Sequence, residues 1–210
     1  GPTHHGIFDV SFLSAIPNLT IYAPVSFAGL AASVRKALEA GTPAAIRYPN
    51  GGEDARLRDT FYAHGEPADV TVRESNPDNH AVPAAIIITH GRITREALTA
   101  REILTARGIP VGILLCEYLK PYGRLADEIA QRLPAGIPLL FAEEELRAGG
   151  FGMMLTDAMS RNGSLAGHPY TILATDDSFV FQDRPEPILR TAGVDAEAMV
   201  NAIGALLQSD

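Results

Sequence analysis

From residue 84 onward the sequence alternates short apolar, β-branched runs with stretches of helical periodicity, and this alternation limits the fold more than any other feature. Residues 84–89, 111–116, 137–142 and 170–174 read as strands. The first two are continuous apolar runs of the kind that parallel sheets bury on both faces. Between them, Ile93, Ala97, Ala100 and Leu104 keep helical register over 94–107, and Gly108 and Pro110 end that helix. Leu125, Ile129 and Leu133 mark a second helix stopped by Pro134, 152–161 reads as a third, and Asp195 caps a last one ending near Leu207. An edge strand is predicted at 69–73 and a polar loop at 74–83. The repeated β-α order predicts an α/β domain with a mainly parallel sheet and right-handed crossovers.

The upstream part is smaller. Residues 8–16 fit a short helix, and 19–23 a strand ended by Pro24. A helix is predicted over 27–40, with Ser26 as N-cap and Gly41 as its stop. Phe27, Leu30, Ala31, Val34, Ala37 and Leu38 share one face of it. Residues 44–48 form a further apolar strand closed by Pro49, which completes a βαβ unit. One such unit cannot cover both faces of its sheet, so exposed apolar surface and association are expected, as a homodimer or with further protein. The Gly- and charge-rich residues 50–62 read as the connection between the two parts.

Charge and cysteine content narrow the function classes. Seventeen Lys and Arg against 25 Asp and Glu leave a net charge of −8, which disfavours nucleic acid and anionic membranes as partners. The apolar runs are far too short for a bilayer span. A lone cysteine, Cys116, has no internal partner and reads as a small buried hydrophobe in a reducing, cytoplasmic protein. The chain opens on Gly1-Pro2-Thr3-His4-His5-Gly6 without a Met, so we expect a piece of a longer polypeptide or a partner that supplies the rest.

Several residues could carry chemistry. His4 and His5 can donate, accept or shuttle protons, and the flanking glycines admit a ligand close to the backbone. Their adjacency lacks metal-ligand spacing, and no metal site is expected. Arg47, near the carboxyl end of an apolar strand, needs an anionic partner. Either a bound phosphate or carboxylate, or a structural acidic residue, would serve. Glu143-Glu144-Glu145 followed by Gly149-Gly150-Phe151-Gly152 has the order of a phosphate-binding turn, but Leu155 breaks the glycine spacing and three carboxylates would repel an anion. Close helix packing at the glycines and a solvated edge at the glutamates are the simpler expectation. His64, His80, His90 and His168 converge on nothing by spacing.

Taken together, Gly1-Pro2-Thr3-His4-His5-Gly6-x-Phe8-Asp9, Ile16-Pro17-Asn18, Ala23-Pro24, Ile46-Arg47-Tyr48-Pro49-x-Gly51, Glu143-Glu144, Gly149-Gly150-Phe151-Gly152 and Asp177-x-Phe179 resemble 1-deoxy-D-xylulose-5-phosphate synthase, of the transketolase group of thiamine-diphosphate enzymes. The resemblance implies that residues 1–52 are the remnant of a pyrimidine-binding α/β domain, 53–62 a linker, and 63–210 a transketolase C-terminal-type α/β domain. It implies condensation of pyruvate with glyceraldehyde 3-phosphate and loss of carbon dioxide, in a route to isoprenoids. His4 would be the catalytic and substrate-contacting imidazole and Arg47 the phosphate-holding guanidinium.

The complete enzyme would use thiamine diphosphate and magnesium. The residues that bind them in the family are absent, so no cofactor-binding residue is assigned here and the chain is expected to be inactive alone. Asn50 stands where the family often has a basic residue. Two other readings remain at this stage. One is a non-catalytic transketolase C-terminal-domain module that dimerises or binds a ligand. The other is an independent phosphosugar-binding protein using His4 and Arg47.

Overall fold

A computed structural model describes residues 6–62, 71–76, 82–180 and 185–208. A turn of 3-10 helix at Gly6–Phe8 leads into α1 (Asp9–Ser14), followed by β1 (Thr20–Tyr22), α2 (Phe27–Ala40) and β2 (Ala44–Ile46). β1 and β2 pair in parallel, as the βαβ reading requires. α2 starts where expected: Ser26 Oγ accepts from Gly29 N at 2.9 Å, and Gly41, at φ 61°, closes the helix in the left-handed region open to glycine.

The apolar stripe of α2 is uncovered, part of the exposed apolar surface expected of a lone βαβ unit. Phe27, Val34 and Leu38 are 63%, 43% and 77% exposed, while Gly29, Ala32 and Ser33 are buried. The helix lies down on its small side chains, and the fit at Gly29 shows why. A Cβ there would stand 2.6 Å from Tyr62 Oη and 3.0 Å from Glu117 Oε1. β2 is likewise less buried than its apolar sequence suggested, because it is an edge strand.

The segment read as a plain connection contains a helix, α3 (Ala55–Phe61). Asp54 Oδ1 accepts from Arg56 N and Leu57 N, and Leu57 and Phe61 are buried in the second part's core. Hydrophobic spacing within a charged stretch was the missed signal.

The second sheet comprises β3 (Val72–Ser75), β4 (Ala85–His90), β5 (Val111–Cys116), β7 (Leu139–Leu146) and β8 (Tyr170–Thr175), in the order β3-β5-β4-β7-β8. All neighbours are parallel except β3, an antiparallel edge. The helices are α4 (Thr94–Ala106), α5 (Tyr122–Ala130), α6 (Phe151–Arg161), α7 (Pro185–Thr191) and α8 (Ala196–Leu206). α7 was not foreseen. The α/β class with a mainly parallel second sheet therefore holds.

Alternation along each strand gives the sheet two cores. Ile87, Leu140 and Ala142 face α3, α4 and α8; Ile86, Ile88, Leu139 and Phe141 face α1, α5, α6 and the first sheet. A short strand missing from the sequence reading, β6 (Tyr118–Lys120), leaves β5 and pairs antiparallel with β1, so the second part of the chain completes the first sheet.

A buried polar group fastens the same seam. Glu117 Oε2 accepts from Arg73 Nε at 2.6 Å, while Glu117 Oε1 accepts from Val25 N and from the Tyr62 hydroxyl. The Arg73 guanidinium lies 3.8 Å from the Tyr62 ring centroid. Burial pushes the Tyr62 hydroxyl up, with the Glu117 charge adding to the rise.

Candidate functional site

Parallel strands bring the site together at their carboxyl ends, where open α/β sheets place ligands. β2 delivers Arg47, β4 ends in His90 followed by Gly91-Arg92, and β7 carries the three glutamates. Between them lies a cleft of about 510 Å³, lined by Asp9, Arg47, Tyr48, Asn50, Arg92 and Glu144 among others.

The glutamates are not a solvated edge. β7 runs on through Leu146, and Glu143 and Glu145 are fully buried, with Glu144 turned to the other side and half-buried. Glu143 and Glu145 are buried on the side that carries Leu139 and Phe141, across a register irregularity against β8 between Ala142 and Leu146. His90 extends the Ile86, Ile88 series on the neighbouring strand in the same way and is 1% exposed.

Glu143 explains the glycine turn. Its Oε2 accepts from Phe151 N at 2.6 Å and its Oε1 from Gly152 N at 2.8 Å, so a protein carboxylate occupies the anion position at the start of α6. A Cβ on Gly150 would come within 2.6 Å of Glu143 Oε2, and one on Gly152 within 2.7 Å of Ile172 Cγ2. The glycines thus serve close packing, as expected, and the cradle holds Glu143. Burial, and then repulsion from Glu145, push the Glu143 carboxyl well above the usual range, against the pull of the Gly152 and Phe151 N–H groups.

Glu145, on the same side of β7, reaches past the α6 turn to the first sheet. One oxygen meets Arg47 Nη1, and the other lies 3.3 Å from His90 Nε2. Burial alone would raise this carboxyl, but the facing His90 and Arg47 outweigh it and hold the group at about 2. Phe151 supports the imidazole edge-on, with centroids 4.6 Å apart.

Arg47 is therefore already in contact with acidic groups. Besides Glu145, its Nε stands 3.5 Å from Asp9 Oδ2, and its Nη2 donates to the Gly6 carbonyl at 3.0 Å. Its side chain keeps 15% exposure, at the cleft. Burial opposes its charge, but Glu145, Glu144 and Asp9 restore it. Arg92 enters the same cleft on a 3.0 Å ion pair with Glu144. Consecutive glutamates, facing opposite ways, thus each hold one arginine.

The other candidates separate from this centre. His4 and His5, with His64 and His80, lie outside the described residues. His168 Nδ1 is 2.8 Å from the Ile137 carbonyl, which fits a structural role. Cys116 is fully buried, and desolvation drives its thiol upward.

Among the described residues, His90, Glu143 and Glu145 are the one group whose donor atoms lie close enough to hold a metal ion, within 4.8 Å of one another. They do not suit magnesium with a diphosphate. Both Glu143 oxygens serve the α6 backbone, and Glu145 serves Arg47 and His90, whereas magnesium requires free oxygen ligands and room for water. Among the described residues, no helix is long and apolar enough to cross a membrane.

Comparison with known proteins agrees with the motifs. A family model for the transketolase pyrimidine-binding domain matches residues 1–52. A 1-deoxy-D-xylulose-5-phosphate synthase of Clostridium botulinum is 32% identical over 97% of this chain and 31% of its own length. The synthase of Thermus thermophilus is 32% identical over 98% of this chain and 31% of its own. The chain thus spans about a third of the curated relatives it matches.

Among solved structures, a split-gene transketolase described as an inactive beta4 tetramer has a TM-score of 0.73 at 24% identity, covering 99% of this chain and 64% of that one. The transketolase of Leishmania mexicana has a TM-score of 0.65 at 17% identity, covering 99% and 28%. The architecture is of the transketolase type, and the resemblance to 1-deoxy-D-xylulose-5-phosphate synthases holds over nearly the whole chain.

Proposed function

We propose that this chain is one portion of a thiamine-diphosphate-dependent transferase of the 1-deoxy-D-xylulose-5-phosphate synthase type, which joins pyruvate to glyceraldehyde 3-phosphate with loss of carbon dioxide. Residues 1–52 are its share of the pyrimidine-binding domain, 53–62 lead across, and 63–210 form the C-terminal domain. The observation that carries the reading is Arg47: a largely buried guanidinium at the end of a parallel strand, with its remaining exposure in the cleft. A guanidinium forks onto phosphate oxygens, so Arg47 holds the substrate phosphate, and His4 donates to oxygen atoms where negative charge develops.

Thiamine diphosphate supplies the electron sink for the decarboxylation when bound to the complete enzyme. The buried group His90, Glu143 and Glu145 does not fit its magnesium, so we derive no step through metal or cofactor and assign their binding to the remainder of the protein. The exposed stripe of Phe27, Val34 and Leu38 and the open edge of β2 are where that remainder packs. The chain alone is then inactive, and its setting is the cytoplasm.

A second reading, a non-catalytic assembly or ligand-binding module, draws on the carboxylates already paired with Arg47 and Arg92. Mixing the chain with the cofactor-binding portion of a relative, then measuring sedimentation and carbon dioxide release from pyruvate plus glyceraldehyde 3-phosphate, separates the two. The synthase reading expects a stable complex and release. Complex formation without release supports the module, and neither result sinks both.

A further inference from the structure

We infer that Glu145, braced by His90, is the positioning residue for Arg47: the second sheet sets the direction of a guanidinium that belongs to the first. This rests on the reading of Arg47 as the phosphate-holding group and extends it to residues the motifs do not touch.

The contrast with Glu143 carries the argument. Both carboxylates are fully buried on the same face of β7, two residues apart. Glu143 spends both oxygens on the backbone of its own domain, at the start of α6. Glu145 takes nothing from the α6 backbone; its own N–H contributes, but the larger influences on its carboxylate are the side chains of His90 and Arg47, at Nε2 and Nη1. A buried carboxylate serving only the stability of its own sheet would be satisfied as Glu143 is. Glu145 instead directs its charge out of its sheet.

The remaining contacts of Arg47 are weaker guides. Asp9 is 3.5 Å away with its side chain 37% exposed, where water screens the pair, and the Gly6 carbonyl is neutral. The guanidinium is a rigid planar fork, so holding its inner edge against Glu145 fixes where the outer edge points. His90 in turn is held against Glu145 by Phe151, which limits how the carboxylate can rotate. The result is a chain of contacts from α6 through His90 and Glu145 to Arg47 at the cleft.

The test reads Arg47 directly. In nitrogen-15 spectra of the chain, the Arg47 Nε–Hε signal is assigned by its loss in Arg47→Lys and followed in wild type, Glu145→Gln, Glu145→Asp and His90→Gln, before and during titration with inorganic phosphate. We expect the wild-type proton to be shielded from solvent exchange, with shielding and phosphate affinity each falling about tenfold or more in Glu145→Gln, the scale of one lost charge-assisted contact. Glu145→Asp should recover part of both.

An unchanged Arg47 signal in Glu145→Gln overturns the inference. If the signal responds to Glu145→Gln but phosphate moves nothing even in wild type, the positioning stands and the phosphate reading falls. Should Glu145→Gln not fold, His90→Gln decides: lowered shielding of Arg47 supports the brace, and wild-type shielding refutes it.

Discussion

Replacing Glu143 by Ala should be one of the most damaging single changes in the chain, and the structure gives its size. The carboxylate accepts from Phe151 N and Gly152 N, both buried at the start of α6. Each buried donor left without an acceptor costs about 1–3 kcal/mol, and the two together about 2–6 kcal/mol.

A loss of about 4 kcal/mol is a large share of a typical 5–15 kcal/mol stability, and in a chain this long it lowers Tm by about 8–16 °C. Urea unfolding gives the free energy, and Asp157→Ala supplies the contrast. Asp157 forms an exposed i,i+4 pair with Arg161, so its removal should cost no more than about 0.5 kcal/mol. A Glu143→Ala loss as small as that of Asp157→Ala would refute the view that this carboxylate fills the anion position of the turn.

Three further outcomes follow. Glu117→Gln leaves Arg73, Tyr62 and Val25 N around a neutral amide, and the loss of a buried charge partner should cost about 3–5 kcal/mol in urea unfolding; a change below about 1 kcal/mol would show the seam to be held by apolar packing. Cys116 should resist alkylation in the native protein and react at the global unfolding rate, as followed by intact mass against urea; rapid native labelling would contradict its burial.

The buried glutamates should shape stability against pH in opposite senses. Glu145 titrates near about 4.3 when unfolded but at about 2 when folded, so its contribution is present above about pH 4 and fades as pH falls towards 2. Glu143 is raised, so its contribution is full below about pH 4.3 and is lost as pH rises through its folded value. Glu145→Gln should therefore flatten the acid limb of the urea-derived stability profile and Glu143→Gln the opposite one; parallel profiles would show that neither shift exists.

Much of the scaffold was readable because its signals are local. The apolar runs at β4 and β5, the Ser26 cap, and the stops at Gly41 and Gly108 depend on neighbours in sequence, and they fall where periodicity put them. The site was less readable, because its meaning lies between distant residues. Three consecutive glutamates read locally as a solvated run, whereas β7 extends through Leu146 and buries two of them. The period-2 series Leu139, Phe141, Glu143, Glu145 and the ending of Ile86, Ile88 in His90 were available as signals.

An arginine in an apolar strand implies an anionic partner, and Arg47 has an acidic one. That the partner would be Glu145, nearly a hundred residues away, has no local trace. The stripe on α2 shows the reverse limit: periodicity finds an apolar face but not whether the neighbours described here cover it.

The central claim is that Arg47 receives the phosphate of a triose-phosphate substrate. The most direct measurement is the KM for glyceraldehyde 3-phosphate in the complete synthase bearing Arg47→Ala. Loss of one guanidinium–phosphate contact, worth about 1.5–3 kcal/mol, should raise that KM roughly 10- to 150-fold while leaving the KM for pyruvate near its wild-type value. An unaltered KM for glyceraldehyde 3-phosphate would contradict the account.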